Sequence, residues 1–284
     1  MTAIILGIIG IILAPVLGGL IAGLDRRVTA RMQSRFGPPI LQPFYDVFKL
    51  FGKEPSFVNV WQVFCAYVYV ASAAISVGLL FSGGDLLLLF FVQAVGAVFL
   101  VFGALAAPSP YSQVGAHREL LQMLAYEPLI ILVFVGFYLA TGSFKVADIF
   151  AHSRPLLLEM PLLFLVLGYA LTIKLRKSPF DLSTSHHGHQ ELVKGVLTEY
   201  SGPYLALVEV AHWYETVLVL GLCALFWHTS IFGMAILLAV TYFAEVLLDN
   251  VTARLTWRWM LGYVWGIGLA MSAVNLVWIS FKGA

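Results

Sequence analysis

Eight apolar windows, each near the roughly 20 residues a helix needs to cross the hydrocarbon of a bilayer, divide this chain. They run over about 2–24, 58–82, 86–107, 119–140, 156–174, 203–228, 231–248 and 260–281. Backbone polar groups in lipid must satisfy one another, so such runs form helices. The expected fold class is therefore all-α, a polytopic membrane bundle of about eight transmembrane helices in a single domain, 1–284. Gly83 to Asp85 alone separate the second window from the third, and His228 to Ser230 the sixth from the seventh, so each pair should form a tight helical hairpin. Pro15, Pro128 and Pro161 fall within windows and should kink or loosen them. Only 11% of residues are charged, against about a quarter in a soluble domain, which leaves too little polar surface for a water-soluble fold.

Orientation follows from the basic residues. With 25–57 assigned to the cytoplasm, alternation also places 108–118, 175–202 and 249–259 there, and both termini outside. These segments, with the adjoining end of the fifth window at Lys174, then collect Arg26, Arg27, Arg31, Arg35, Lys49, Lys53, Arg118, Lys174, Arg176, Lys177, Lys194, Arg254 and Arg258, leaving only Lys145, Arg154 and Lys282 of the 16 basic residues elsewhere. The expected location is the cell membrane. No basic leader precedes Asp25, so the first window is read as a retained span and not as a secretory signal. Trp61, Trp227, Trp257, Trp259 and Trp278 lie at window ends, where indoles favour the interface. Cys65 and Cys223 each sit alone in an apolar run and are read as small core residues.

Between the first two windows, Leu41, Phe44, Tyr45, Phe48 and Phe51 recur at helical spacing, with Gln42, Asp46, Lys49 and Lys53 opposite. This predicts an amphipathic helix in the interface. Arg26, Arg27, Arg31 and Arg35 ahead of it suit either anionic lipid heads or a carboxylate-rich protein face. The segment RKSPFDLSTSHHGHQELVKGVLTEYSG is unusually polar and combines Asp181, Glu191 and Glu199 with His186, His187 and His189. Three histidines beside a carboxylate suit a metal ion, a proton relay or hydrogen bonds to a partner. No second ligand cluster accompanies them, and no metal site is assigned.

Five carboxylates fall within windows: Glu127, Glu159, Glu209, Glu215 and Glu245. An acid at the centre of a span costs about 2.5–3.5 kcal/mol on insertion scales, so their accumulation needs a reason. Glu159 and Glu245 are close enough to window ends to be solvated. Glu127 and Glu209 are expected at a common depth, roughly 9–12 Å in from the cytoplasmic end. Glu209, His212 and Glu215, at three-residue spacing, form a polar stripe on one helix. Burial raises a carboxylate's pKa and a nearby base lowers it, so the stripe can exchange protons near neutral pH. Interhelical hydrogen bonding that fixes packing is the alternative reading. Phosphate-binding loops, dinucleotide fingerprints and cysteine clusters are lacking, so redox chemistry would come from partners.

The segments LDRRVTARMQSRFGPPILQPFYDVFKLFGKE, ELLQMLAYEPLI, SPFDLSTSHHGHQELVKG and TEYSG resemble, in order, the membrane H-subunit family of respiratory complex I and group 4 energy-converting nickel–iron hydrogenases. The resemblance implies a cofactor-free membrane subunit, itself non-catalytic, onto which a peripheral redox arm docks. It places Glu127, Asp181, Glu191 and Glu199 on acids of a proton path, and the stripe of Glu209, His212 and Glu215 is read as the rest of the buried relay. It also matches Arg35 and the region through Lys53, with Lys49, to the arm-contact segment, and Arg26, Arg27, Arg31, His186, His187 and His189 are assigned to the same interface. Lys174 and His212 stand where quinone-reducing members usually carry Glu, and the loop bearing SHHGHQEL looks like the Ech-like hydrogenase branch. The implied partners are nickel–iron large and small subunits, iron–sulfur subunits, an antiporter-like membrane subunit, ferredoxin and lipid, with no nucleic acid. Nickel–iron and iron–sulfur centres would belong to those partners. The rivals are the membrane H-subunit of NADH-quinone oxidoreductase, a freestanding ion transporter and a purely structural anchor.

Overall fold

The computed structural model describes residues 2–180, 183 and 194–283, and every extended element among them is helical. In chain order these are α1 (Thr2–Met32), α2 (Gln42–Phe51), α3 (Val60–Phe81), α4 (Leu86–Leu105), α5 (Pro110–Thr141), α6 (Val146–Phe150), α7 (Pro161–Lys174), α8 (Gly202–Ala224), α9 (Ile231–Val251), α10 (Trp257–Gly262) and α11 (Leu269–Gly283). Among the described residues seven helical stretches are long and apolar enough to cross a membrane, and α7, of 14 residues, is shorter. Apolar side chains such as Ile12 on α1 and Val240 on α9 are more than half exposed. In water such faces would drive association, so they belong against lipid or apolar protein. The chain is an all-α, multi-pass membrane protein.

Several boundaries differ from the apolar windows. α1 runs on to Met32 and α5 begins at Pro110, because polar residues extend a helix past the hydrocarbon without ending it. Pro15 and Pro128 lie inside continuous helices. The window at 156–174 opens instead with a short 3-10 turn, Leu156–Leu158, and its helix starts only at Pro161, where the missing N–H is tolerated. The last window is interrupted by a π-helical stretch, Tyr263–Gly268.

The chain forms two compact units. The first comprises residues 1–78, 90–120 and 182–217. Here α1 buries mostly small residues, Gly7, Gly10, Ala14, Gly18, Gly19 and Gly23 among them, and a small-residue face lets helix backbones approach closely. At Gly18 a Cβ would lie 2.5 Å from the Trp213 carbonyl oxygen of α8. At Gly19 it would lie 2.5 Å from the ring of Phe44. Phe44 in turn meets the Trp213 ring at 5.1 Å, and Val47, Ala206 and Trp213 form a buried cluster beside them. The Tyr214 hydroxyl donates to the Ile11 carbonyl at 2.8 Å, joining α8 to α1 again.

The second unit comprises residues 79–89, 121–181 and 218–284. Phe226 packs against Phe137 at 4.9 Å and Phe164 at 5.1 Å. Asn275 of α11 accepts the Leu163 N–H at 3.0 Å, a donor in the first turn of α7 with no intrahelical partner, and donates to the carbonyl of Glu159, just ahead of the helix, at 3.3 Å. The turn after α3 is held by Val146 N–H to the Gly84 carbonyl at 2.9 Å and Leu86 N–H to the Phe144 carbonyl at 3.0 Å.

Candidate functional site

α2 forms where its amphipathic pattern placed it, but its apolar residues divide between two faces. Phe44, Val47 and Leu50 pack into the first unit, whereas Leu41, Tyr45, Phe48 and Phe51 are exposed. The sequence reading put Phe44 with the exposed set; the close approach of Gly19 and the Trp213 ring draw it inward. The polar edge of α2 is fixed by Asp46, which accepts from Arg26 at 2.7 Å and from Gln42, one turn earlier, at 3.0 Å. Partial burial pushes the Asp46 carboxyl up, but these two hydrogen bonds and the charges of Arg26 and Lys49 outweigh it and hold it below the ordinary aspartate range.

This packing leaves a cleft of about 230 Å³ within the first unit, lined by residues of α1, α2 and α8 together with Lys53 and Lys194. Arg26, Lys49, Lys53 and Lys194 supply its cations, Asp46 and Glu209 its acids, and Val47, Leu50 and Trp213 its apolar wall. Of the residues read from the sequence, the cleft gathers Arg26, Lys49, Lys53 and Glu209. Glu209 thus lies on an open, charged cavity, half-buried. One turn further along α8, His212 meets the Tyr69 ring edge-on at 5.8 Å. Glu215 follows, 4% exposed, and accepts a hydrogen bond from the Gln93 amide of α4 at 2.5 Å. The Gln93 Oε1 atom is buried with no hydrogen-bond partner. Lys194, Trp213 and Gln93 were not singled out from the sequence; the signal for Gln93 was a lone amide in the apolar run LLLLFFVQAVGAVF.

The remaining arginines lie elsewhere on the first unit. Arg31 stacks over the exposed Phe36 ring at 5.2 Å, Arg35 donates to Gln33, and Arg27 is exposed. TEYSG reads as architecture. Tyr200 is buried with its hydroxyl against Gly103, and burial pushes its phenol up. Ser201 donates to the Ser56 carbonyl at 2.9 Å, Gly202 opens α8 at φ 52°, and Glu199 is half-buried. Asp181, Glu191, His186, His187 and His189 lie outside the described residues.

In the second unit Glu127 lies on α5, and the cation that acts on it is Lys174 at the end of α7. The Lys174 ammonium lies 5.1 Å over the Tyr126 ring and 3.3 Å from its hydroxyl. Glu159 is one-quarter exposed, 3.8 Å from His152, in keeping with its reading as solvated. Glu245 is not: it is 4% exposed, because α7 and the residues after it close over this side of α9. Among the described residues no three of His, Cys, Asp and Glu converge as metal ligands.

A family model described as NADH dehydrogenase matches residues 4–280. The chain is 34% identical over 207 residues to hydrogenase-4 component C of Escherichia coli, a match covering 67% of this chain and 64% of that protein. It is 27% identical over 286 residues to the H-subunit of the NADH-quinone oxidoreductase of Carboxydothermus hydrogenoformans, covering 89% and 81%. Its fold superposes on a chain of the membrane-bound sulfane sulfur reductase, an archaeal respiratory membrane complex, with TM-score 0.86 over all of both chains at 20% identity. The chain therefore belongs to the NADH dehydrogenase family, the membrane H-subunit family shared by respiratory complex I and group 4 nickel–iron hydrogenases.

Proposed function

We propose that this chain is the membrane anchor and ion-coupling subunit of an energy-converting nickel–iron hydrogenase. Electrons from reduced ferredoxin would pass through iron–sulfur subunits to the large and small hydrogenase subunits, which form hydrogen. This chain would couple that event to proton or sodium movement with an antiporter-like membrane neighbour. The observation that carries the reading is the course of α8, whose Glu209 lies on the cation-lined cleft while Glu215, about 9 Å further along at 1.5 Å per residue, is buried on Gln93. A carboxylate in contact with solvent followed by a buried one on the same helix suits proton uptake and inward transfer.

Within this reading Asp181, Glu191 and Glu199 feed protons toward the interior, and Glu127, Glu209, His212 and Glu215 pass them on. Arg26, Arg27, Arg31, Arg35, Lys49, Lys53, His186, His187 and His189 face the peripheral arm on the cytoplasmic side, with both termini outside. The 34% identity to hydrogenase-4 component C and Lys174 and His212 in place of acids favour this branch over quinone reduction.

The test is ion uptake by proteoliposomes of the assembled complex during ferredoxin-driven hydrogen formation. Glu209→Gln should keep assembly and hydrogen formation but lose coupled uptake, and full coupling would remove Glu209 from the path. Co-purification with quinone-reducing subunits instead of a nickel–iron pair would overturn the branch.

A further inference from the structure

α1 does not stop where its apolar run ends. Leu24 closes that run, and Met32, the last residue of the helix, lies eight residues on, about 12 Å further at 1.5 Å per residue. The headgroup layer of one bilayer leaf is only about 5–8 Å deep. A tilt of about 40°, the upper end for spanning helices, still leaves a rise of about 9 Å. Arg26, bonded to Asp46 at 2.7 Å, ties the first turn after Leu24 to the amphipathic helix α2. The end of α1 therefore stands clear of the lipid surface.

That end is also closed off rigidly. The Ser34 N–H donates to the Arg31 carbonyl at 3.1 Å and the Arg35 N–H to the Ala30 carbonyl at 2.7 Å, with Ser34 in the left-handed region at φ 58°, which together make a Schellman cap. The chain then turns back down the helix. A Cβ on Gly37 would lie 3.0 Å from the Ala30 Cβ and the Arg27 Cα, and one on Gly23 would lie 1.8 Å from the Ile40 carbonyl oxygen, so residues 37–40 descend α1 in close contact. Pro38 and Pro39, each with φ fixed by its ring, stiffen the return. Phe36 sits at the tip of this finger and is 93% exposed, more than any other large apolar side chain among the described residues. The Arg31 guanidinium lies over one face of its ring at 5.2 Å, and Arg35 donates to Gln33 beside it. Arg27, Arg31 and Arg35 are all exposed, and the sequence has no acid from Arg26 to Phe36.

A bare aromatic ring on a rigid tip gains by burial and gives up little conformational freedom in the process, which is what the anchor of a protein interface needs. Its height above the headgroups selects a protein partner over lipid, and the three arginines select an acidic one. We infer that Phe36 is a docking anchor: it fills an apolar slot on a water-soluble subunit of the complex, rimmed by carboxylates that pair with Arg27, Arg31 and Arg35. This contact deepens the docking role proposed above and rests on it for the identity of the subunit, though not for the choice of protein over lipid.

The experiment uses the assembled complex. Replacing Phe36 by p-benzoylphenylalanine leaves the bonds of the finger in place, because the ring is exposed, and irradiation followed by mass spectrometry identifies what the tip touches. The expected product is a crosslink to one water-soluble subunit, in a peptide that also carries Asp or Glu. Phe36→Ala should speed release of that subunit from washed membranes by about tenfold or more, the scale of a truncated interface anchor, and Phe36→Tyr should not. Charge reversal at Arg27, Arg31 and Arg35 should speed release as well. No crosslink, one confined to lipid, to this chain or to another membrane subunit, or release indifferent to Phe36→Ala would overturn the inference and leave the hydrogenase reading standing. A crosslink to a water-soluble subunit of a quinone-reducing complex, with release speeded by Phe36→Ala, would do the reverse.

Discussion

The Gln93 amide of α4 donates to the Glu215 carboxylate of α8 at 2.5 Å, and both side chains are buried. An amide in that position serves either charge state: its Nε2 donates to a carboxylate, and after a flip its Oε1, now without a partner, accepts from a carboxylic acid. Gln93→Leu removes both possibilities and leaves a buried acid short of a donor. Stability should fall by about 1–3 kcal/mol, measured as thermal unfolding in detergent. The double variant with Glu215→Leu should recover much of that loss, and simple additivity of the two losses would show that the pair is not coupled.

Gly18 sets the distance between α1 and α8. Its added Cβ would meet backbone, the Trp213 carbonyl, and not the yielding end of a side chain. Gly18→Ala should therefore force the helices apart and cost about 1–3 kcal/mol, the range for overpacking. Gly52→Ala, whose Cβ would meet ordinary contacts at 3.6 Å and beyond, is the control that should cost far less.

The Arg26–Asp46 pair is close to half exposed, so its net worth should stay below about 1 kcal/mol and weaken in salt. Its pH dependence has a definite sign. The folded Asp46 carboxyl lies below its ordinary value of 3.8, so its contribution is present above the unfolded value and is lost as pH falls through the folded one. The mobility of a nitroxide spin label on a Leu50→Cys variant, on the inward face of α2, should rise in that acid range. Asp46→Asn should show part of that rise at neutral pH already.

The helical class of the chain was legible because lipid leaves apolar runs of this length no other solution. Helix ends were less so: α1 and α5 carry polar turns beyond their apolar windows, while Pro161 delays α7 inside its own. Periodicity identified α2, yet the choice between Phe44 and Tyr45 as the buried ring depends on Gly19 and Trp213, far apart in sequence. The site was half visible. Spacing along α8 picked out Glu209 and Glu215, but not Gln93 or Lys194, which come to them from other elements. Glu245 was misplaced for the same reason: distance from a window's end says nothing about which helices close over it.

Lys174 offers the sharpest test of the acid on α5. Its ammonium is held over Tyr126, the residue just before Glu127, so ring, phenol and carboxylate share one cation. If lysine and acid act as a unit, removing either should damage coupled ion uptake about equally, and removing both should do no further harm. Lys174→Met and Glu127→Gln are each expected to lower uptake in proteoliposomes by about tenfold or more, with Glu127→Gln/Lys174→Met no worse than the weaker single variant. The exchange Lys174→Glu/Glu127→Lys should restore part of the uptake, because it keeps one charge of each sign in the same space. Multiplicative losses in the double variant would mean that the two side chains serve separate steps, and Lys174 would then be assigned to holding Tyr126 alone.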